Sequence, residues 1–204
     1  MHGDVGDGIG CLFAEARIER NMAKNGTGRG ITDRPFRGDA DVMAIDTTVF
    51  RDEPRPDDVR AVRELVAGTG LFRPGEVDVA AELVDERLAK GGASGYHFFL
   101  ADRDARLAGY VCYGPIPCTV GSYDLYWIAV DRKFQGRGLG LRLMAMAEEA
   151  IRDRGGRSVY VETGGKELYR PTRSFYVRAG YSKEAELSDF YEPGDAKVVF
   201  RKIL

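Results

Sequence analysis

The sequence predicts a mixed α/β fold of the α+β kind, with a central mixed β-sheet of six to seven strands and helices on both faces. Three observations predict it. Apolar residues make up 44% and aromatic residues 10% of the 204 residues, enough for a packed core. Strand-like runs and segments of helical periodicity follow one another in an order that places helices on both sides of a sheet. Residues 158–163 contain the apolar run Val-Tyr-Val, which predicts a central strand with a parallel neighbour.

The first 41 residues differ from the remainder of the chain. Glycines interrupt every candidate periodicity there, and only residues 11–22 show a short helix-like pattern. We therefore expect residues 1–41 to form a glycine-rich, poorly ordered N-terminal extension. Residues 42–204 are predicted to form a single domain.

The domain begins with a predicted strand at residues 42–50. A helix follows, for which Asp57 or Asp58 provides the N-cap. Residues 69–75 contain a proline and two glycines and end that helix. A second helix is predicted at residues 77–88, where apolar residues recur three and four positions apart before a glycine pair.

The middle of the chain alternates strands with a long helix. Residues 96–101 and 106–113 are predicted strands, joined by a charged turn at residues 102–104. Residues 122–130 are rich in aromatic and apolar side chains and predict another strand. The following helix, residues 138–154, has one apolar face and one charged face.

The final third completes the sheet. After the strand at residues 158–163, a short helix is predicted at residues 172–179, with Thr172 as its N-cap. Residues 181–187 and 197–204 are predicted to be the last two strands.

Charge and cysteine content exclude several classes of function. A net charge of −2 provides no basic field that would attract nucleic acid. The three cysteines, Cys11, Cys112 and Cys118, are odd in number and not closely spaced, which argues against a disulfide framework or a metal site. No apolar run approaches the roughly 18 residues of a membrane span, and the acidic N-terminus does not resemble a secretion signal. We therefore expect a cytoplasmic protein with no nucleic-acid partner, no membrane partner and no metal.

The most informative segment joins the strand at residues 122–130 to the following helix. Residues 135–140 read QGRGLG, and their glycines let backbone amides approach a ligand closely. These amides lie at a helix N-terminus, where unpaired donors and the helix dipole favour a diphosphate. Lys133, Arg137 and Arg142 add positive charge nearby.

Three other interpretations of this loop are weaker. A mononucleotide-binding loop would end in Gly-Lys-Ser/Thr, whereas Leu141 and Arg142 follow here. A dinucleotide-binding fingerprint has G-x-G-x-x-G spacing at the first strand–helix turn, whereas this spacing is G-x-G-x-G and lies late in the chain. A flexible turn with only a packing role is disfavoured by the strand before the glycines and the helix after them.

Residues 130–140 resemble the signature of the GNAT superfamily of N-acetyltransferases, Q/R-x-x-G-x-G/A after a strand ending in valine. Gln135, Gly138 and Gly140 match this pattern in place. A second motif of the family, an aromatic-Tyr-x-x-x-Gly-aromatic run, matches residues 175–181, which read FYVRAGY. The resemblance extends from about residue 47 to the end of the chain.

The resemblance implies the GNAT fold and acetyl-CoA as the acyl-donor co-substrate. The amides of residues 135–140 would hold the pyrophosphate of coenzyme A, and the strand at residues 125–130 would pair with its pantetheine arm. An amide near Ile128 would polarise the thioester carbonyl. The cofactor-binding residues implied in this way are Ile128, Ala129, Val130, Gln135, Gly136, Arg137, Gly138, Leu139, Gly140, Arg142, Tyr169 and Arg173.

Acetyl transfer requires a base for the amine and a proton donor for the departing thiolate. Tyr176 matches the family tyrosine and is the predicted donor, with a packed aromatic as the alternative. Asp124 and Glu162 are the candidate bases, and a water chain is the alternative to both. Tyr126 lies on the same strand face as Asp124 and would relay a proton or shape the pocket.

The sequence departs from the family pattern at one position. Many relatives carry an asparagine seven residues before the helix tyrosine, where this chain has Tyr169. The variant YRPTRSFY at residues 169–176 suggests a subgroup that approaches the cofactor differently.

In this fold the acceptor lies between the first two helices and the connection between the last two strands. This implies substrate contacts from Phe72 and from Tyr191, within the aromatic and acidic segment 189–195. A charged hairpin turn around Pro193 and Gly194 is the alternative interpretation of that segment. His97 is expected to be a packed or edge histidine.

The sequence as a whole therefore predicts an acetyl-CoA-dependent N-acetyltransferase. It would move an acetyl group to a primary amine, expected to belong to a small molecule, by direct transfer in a ternary complex. A non-catalytic acyl-CoA sensor and an enzyme acting on a protein N-terminus or lysine are the alternatives. The sequence is compatible with a homodimer.

Overall fold

The computed structural model describes residues 48–204. Four α-helices and seven strands make up this part of the chain. The helices are α1 (Asp58–Thr69), α2 (Pro74–Lys90), α3 (Leu139–Asp153) and α4 (Arg170–Arg178). The strands are β1 (Val49–Arg51), β2 (His97–Arg103), β3 (Arg106–Pro115), β4 (Ser122–Val130), β5 (Ser158–Gly164), β6 (Ser182–Glu192) and β7 (Asp195–Ile203).

All seven strands belong to one twisted sheet with the order β1-β2-β3-β4-β5-β7-β6. Every neighbouring pair is antiparallel except β4 and β5, which run parallel at the centre. The predicted mixed sheet is therefore confirmed, as is the parallel neighbour of the apolar strand at residues 158–163.

Helices cover both faces of the sheet, as predicted. On one face α1 and α2 pack against β2, β3 and β4 to form one core. The buried side chains of that core include Val62, Leu65, Val66, Val77, Leu83, Val84, Phe98, Leu100, Tyr110 and Trp127. On the other face α3 and α4 pack over the centre of the sheet and over β5 and β7.

The division of the sheet between these cores has one consequence for the site. The core under α1 and α2 contains no residue of β5, β6 or β7 among residues 48–204. The α1–α2 side of those three strands is therefore not covered by a helix. The uncovered side of these strands, beside α1 and α2, is called the recess below.

The segment predicted as a loop at residues 189–195 is mostly strand, which corrects the sequence prediction. β6 extends to Glu192, which pairs with Asp195 of β7, and the turn is limited to Pro193 and Gly194. The pairing is irregular before Glu192, where Asp189 adopts a left-handed conformation and its carboxylate accepts a 2.6 Å hydrogen bond from the amide of Gly194. A tight turn at Pro193 and Gly194 is therefore present, and the substrate contact predicted for Tyr191 stays a prediction.

The start of the last helix also differs from the prediction. α4 begins at Arg170 and has Tyr169 at its N-cap position, so Thr172 is the third helical residue and not the cap. Pro171 explains the earlier start, because proline lacks an amide hydrogen and its fixed φ suits the first turn of a helix.

The predictions for residues 1–41, and for the first part of the strand at residues 42–50, lie outside the described residues. Within residues 48–204, none of the helices is both long enough and apolar enough to cross a membrane.

Candidate active site

The two central strands separate soon after they meet. β4 and β5 are paired only at Ser122↔Ser158, Tyr123↔Val159 and Asp124↔Tyr160. Beyond these pairs β4 continues along β3 as far as Val130, and β5 continues along β7 as far as Gly164. A gap therefore opens in the middle of the sheet, and the backbone groups along both of its edges are available to a ligand.

A β-bulge lies where the strands begin to separate. In the β3–β4 pairing Cys112 faces Trp127 and Tyr113 faces Leu125, so Tyr126 is an extra residue on β4. A bulge bends the strand that carries it and increases its local twist. The bulge at Tyr126 thus accounts for the departure of β4 from β5 after Asp124.

The loop at residues 135–140 lies at the wide end of this gap. The Gln135 side-chain amide donates a 2.9 Å hydrogen bond to the carbonyl of Val130, which ties the loop to the end of β4. Gly136 and Gly138 have φ values of 72° and 81°, and a Cβ at either position would meet no atom within 4 Å. Both glycines are therefore required by conformation, and the space in front of them is open.

Gly138 is also the N-cap of α3. The helix begins with a 3.0 Å bond from the Arg142 amide to the Gly138 carbonyl. The amides of residues 139–141 precede that bond and have no partner within the helix. Their position at the positive end of the helix dipole makes the predicted loop a suitable anion site.

The predicted cationic contacts have different positions. The Arg142 guanidinium lies over the ring of Phe50, 4.2 Å from its centroid, and so contacts β1. Arg173 donates hydrogen bonds of 2.7 Å to the Gly164 carbonyl and 2.9 Å to the Lys166 carbonyl. Arg173 therefore holds the connection between β5 and α4, while Arg137 is exposed in the loop itself.

Tyr169, which replaces the asparagine of many relatives, is 9% exposed. Its ring packs on Gly164, where any Cβ would collide with it. Burial raises the pKa of Tyr169, and the nearby carboxylates of Glu76 and Asp195 raise it further. The phenol therefore remains protonated at neutral pH.

The outer surface of α4 borders a cavity of about 400 Å³. Its lining residues are Arg170, Arg173, Ser174, Val177 and Arg178. The three arginines among these residues make this side of α4 positive, although Arg170 pairs with Glu167 and Arg173 donates to backbone carbonyls.

Two candidate bases and a lysine form a cluster beside the gap. Asp124 lies between Tyr123 and Leu125, which both pack under α3 and α4, so its side chain points to the opposite side of the sheet. The same alternation places Glu162 and Lys197 on that side. The Lys197 Nζ lies 2.6 Å from a carboxylate oxygen of Glu162 and 4.7 Å from the centroid of the Phe190 ring.

The pKa of Asp124 is raised from 3.8 to about 6, and burial is the largest cause. The negative charge of Glu162 contributes to this rise, whereas Lys197 opposes it. A carboxyl group that titrates near neutral pH can accept a proton from an amine and release it again. The two carboxylates therefore differ: Glu162 is paired with Lys197, whereas Asp124 forms no ion pair within residues 48–204.

The two predicted tyrosines have different surroundings. Tyr176 is fully buried, with its ring 5.5 Å from that of Phe175 and 5.6 Å from that of Phe200. Tyr126 is half-buried, and its ring lies edge-on to Tyr96 at 5.3 Å. A role for Tyr176 as a proton donor therefore requires that a ligand in the gap reach a side chain closed to solvent in the free protein.

The two predicted acceptor segments are joined in space. Arg73, next to Phe72, forms a 3.3 Å ion pair with Glu192, next to Tyr191. Glu192 also forms an ion pair with Lys166 in the β5–α4 connection. Three connections thus converge at this carboxylate and border one side of the recess.

Phe72 itself packs on Trp127, with ring centroids 4.9 Å apart. Because Trp127 belongs to β4, Phe72 connects the α1–α2 loop to the strand that carries Asp124. Sequence reasoning missed Trp127, Lys166 and Lys197, because only the strand register shows that they lie beside the predicted residues. Within residues 48–204, no group of three or more histidine, cysteine, aspartate or glutamate side chains is arranged to hold a metal ion.

Residues 65–181 match the model of the acetyltransferase (GNAT) family, which is more than half of the chain. In structure, the chain is similar to a protein from Desulfovibrio desulfuricans assigned to the acetyltransferases of the GNAT family. The two are 50% identical, with a TM-score of 0.76, and the alignment covers 77% of this chain and 99% of that one. No curated protein shows a significant sequence match to this chain.

Two more distant structures share the fold. An aminoglycoside 6'-N-acetyltransferase complexed with coenzyme A is 19% identical, with a TM-score of 0.63 and coverage of 76% of this chain and 96% of that one. The ribosomal-protein-S18-alanine N-acetyltransferase from Escherichia coli is 16% identical, with a TM-score of 0.63 and coverage of 77% and 94%.

Proposed function

Because the chain belongs to the GNAT acetyltransferase family, we propose that it transfers an acetyl group from acetyl-CoA to the primary amine of a small molecule, by direct transfer in a ternary complex. Acetyl-CoA-dependent acyl transfer follows from the family, and the acceptor and the residue roles are the proposal. The main observation in support is the gap between β4 and β5. It extends from the loop at residues 135–140 to the cluster of Asp124 and Glu162.

The residues around the gap fit coenzyme A. The amides of residues 139–141 and the open space in front of Gly136 and Gly138 suit its pyrophosphate. The arginine-lined cavity of α4 suits its remaining phosphate. The free edges of β4 and β5 suit the amide groups of its pantetheine arm. When bound, the group supplies an activated acetyl thioester.

Asp124 is the proposed general base. It accepts the proton of the substrate ammonium, directly or through one water, so that the nitrogen lone pair attacks the thioester carbonyl. Its pKa of about 6 keeps it ionised at neutral pH, while burial prevents the carboxylate from being fully solvated. Glu162 is held by Lys197 and shapes the electrostatic environment of Asp124.

Tyr176 is the proposed proton donor to the departing thiol sulfur. Its hydroxyl belongs to α4, on the side of the sheet from which α3 presents its amides. Tyr126 lies at the bulge, two residues after Asp124, and its ring packs edge-on against Tyr96. We assign it to the side of the acceptor site. An amide near Ile128, on the free part of β4, would stabilise the developing oxyanion.

The cysteines support transfer without a covalent enzyme intermediate. Cys112 is fully buried, and burial raises the pKa of its thiol well above the ordinary value. A buried thiol with a raised pKa is a poor nucleophile. Cys118 is exposed in the connection between β3 and β4.

A small-molecule acceptor is supported by the ion pairs of Glu192. They join the α1–α2 connection to the β6–β7 hairpin and to the β5–α4 connection, and so restrict the recess. A folded protein or a long peptide would require an open groove at this position. The aromatic rings of Phe72, Phe190 and Tyr191 beside the carboxylates suit a cationic amine with an apolar body.

The proposal is tested by measuring thiol release from acetyl-CoA over a panel of amines. The panel includes aliphatic, aromatic and aminoglycoside amines, amino acids, a peptide with a free N-terminus and a lysine peptide. Turnover with small amines that is lost in Asp124→Asn supports the proposal. Turnover with the peptides alone would change the acceptor class, and tight coenzyme A binding with no turnover would indicate a sensor.

A further inference from the structure

Two buried threonine hydroxyls near the gap have no hydrogen-bond partner. Thr163 is 0% exposed and Thr172 is 1% exposed. In residues 48–204, neither Oγ1 atom has a donor or acceptor within hydrogen-bond distance. A buried hydroxyl without a partner lowers the stability of a fold, so such groups are rare and call for an explanation.

Thr163 lies on the free part of β5. The last pair between β4 and β5 involves Tyr160, three residues earlier, so Thr163 is beside the open gap. Val161 and Val159, at alternate positions, pack in the core under α3 and α4. The Thr163 side chain therefore points toward α4.

Thr172 lies on the facing side of α4. Phe175 and Tyr176, three and four residues later, are buried in the same core, so Thr172 shares their face of the helix. Because Tyr169 occupies the N-cap position, the Thr172 hydroxyl is not used as a cap. It also makes no bond to the carbonyl four residues earlier, which a helical threonine commonly uses.

The two hydroxyls thus border the same space from opposite sides, between the free part of β5 and the start of α4. Tyr176 lies one helical turn beyond Thr172 on the same face.

A third buried threonine shows what a structural hydroxyl looks like in this protein. Thr69, also 1% exposed, donates a 2.6 Å hydrogen bond to the carbonyl of Val66.

We propose that the hydroxyls of Thr163 and Thr172 hydrogen-bond the pantetheine arm of coenzyme A where it passes between β5 and α4. The inference rests on the cofactor of the proposed function and adds two positioning residues to its site. The arm carries two secondary amides and ends in a thioester carbonyl, and a hydroxyl group can donate to or accept from these groups. Contact requires a small outward movement of α4, because both hydroxyls are closed to solvent in the free protein.

The test uses Thr163→Val and Thr172→Val, which keep the side-chain shape, and Thr69→Val as the matched control. Thermal unfolding of the free proteins and calorimetric titration with coenzyme A are measured for each variant. A second titration uses the phosphoadenosine diphosphate half of coenzyme A, which lacks the arm.

The expected result separates the three threonines. Thr163→Val and Thr172→Val should leave Tm unchanged or raise it, because no protein hydrogen bond is lost. Each should weaken coenzyme A binding about three- to tenfold and leave binding of the nucleotide half unchanged. Thr69→Val should lower Tm and leave both affinities unchanged, because its bond is structural.

An unchanged Kd for coenzyme A in both Thr163→Val and Thr172→Val overturns the inference, whatever their Tm. Equal losses for coenzyme A and for its nucleotide half also overturn it, because the arm would then not be what the hydroxyls contact. Failure of the unmodified protein to bind coenzyme A at all would instead contradict the proposed function, so the two failures are distinguishable.

Discussion

Asp124 and Glu162 are two carboxylates on the same side of the sheet that differ in burial and in their distance from a lysine. Lys197 contacts Glu162 at 2.6 Å, so that carboxylate is neutralised by a direct ion pair. Asp124 is mainly affected by burial, which raises its pKa to about 6. One of the two is therefore suited to hold charge and the other to exchange a proton near neutral pH.

The pH dependence of turnover tests the role of Asp124. The ionised carboxylate is the active form of a base, so kcat/KM should rise with pH up to about 6 and level off above it. Asp124→Asn should lower kcat/KM by about 10²–10⁴-fold and remove that inflection from the pH–rate profile. A profile in Asp124→Asn that keeps the inflection would assign it to another group.

The same substitution has an opposite effect on stability. Because the pKa of Asp124 is raised on folding, its neutral form is the favoured one, and the stability that it contributes is lost as pH rises through about 6. At about pH 8, the free energy of unfolding of Asp124→Asn should therefore be about 1–3 kcal/mol higher than that of the unmodified protein. Denaturant unfolding measures this difference. The difference should shrink as pH falls from about 6 toward about 4, because the carboxyl then becomes protonated in the folded protein.

Tyr176 allows a test that separates chemistry from packing. Tyr176→Phe keeps the ring in its contacts with Phe175 and Phe200, so Tm should change little. If the hydroxyl protonates the leaving thiolate, kcat should fall about 10–100-fold while the Kd for coenzyme A stays within about twofold. An unchanged kcat would leave Tyr176 as a core aromatic only.

At the scale of elements, the start of α3 depends on the left-handed backbone of Gly138. Gly138→Ala places a Cβ at φ 81° in the open space that the proposed pyrophosphate would occupy. Gly155, after the end of α3, has a φ of 78° and also has no atom within 4 Å of its would-be Cβ. Both alanine variants should lose about 1 kcal/mol of stability, since the strain is the same.

Only Gly138→Ala should also weaken coenzyme A binding, by about tenfold or more, as measured by calorimetric titration. Equal affinities in Gly138→Ala and Gly155→Ala would argue against the loop as the pyrophosphate site.

The ion pairs of Glu192 link the β6–β7 hairpin to the α1–α2 and β5–α4 connections. Lys166 and Arg73 hold the pKa of Glu192 below its usual value, so it remains ionised across the neutral range. Glu192→Gln removes both ion pairs and should loosen the α1–α2 connection over the recess. The KM for the amine should rise about three- to tenfold with kcat nearly unchanged, because a ground-state contact is lost.

Glu186 provides the control for this prediction. It lies on the same strand and pairs with Lys183, but on an exposed surface without contact to the other two connections. Glu186→Gln should leave the KM for the amine unchanged. A similar rise in both variants would point to a general charge effect on the approach of a cationic amine.

At the scale of the whole molecule, the sheet has two parts that meet through few contacts. β1 to β4 form one part and β5 to β7 the other, and only three residue pairs connect them. The gap that receives the proposed cofactor lies at this junction. A ligand that bridges both edges should therefore stabilise the whole domain and not only its binding loop.

Thermal unfolding with coenzyme A tests this view. At a ligand concentration of about 100 Kd, binding contributes about 2.7 kcal/mol, which for a domain of this size raises Tm by roughly 5–10 °C. The unfolding transition should remain single, because both parts of the sheet contact the ligand. A shift that is confined to one of two resolved transitions would show that the parts unfold independently.

Local features of the chain were sufficient to predict the fold class and a glycine-rich loop at the start of a helix. The glycines of residues 135–140, the apolar run at residues 158–163 and the helical periodicities all act over a few neighbouring residues. Backbone conformation and amphipathic faces depend on such neighbours, so they can be read without a structure. The family match of residues 65–181 agrees with these predictions.

The partners of the site residues were decided by the tertiary structure alone. Asp124, Glu162 and Lys197 come from three strands, and only the pairing register places them together, because a shift of one residue would turn each side chain to the other face. The bulge at Tyr126 opens the gap, and it is visible only in the pairing of β4 with β3. Arg142 illustrates the same limit, since its position near the loop in sequence did not predict that its guanidinium lies over Phe50.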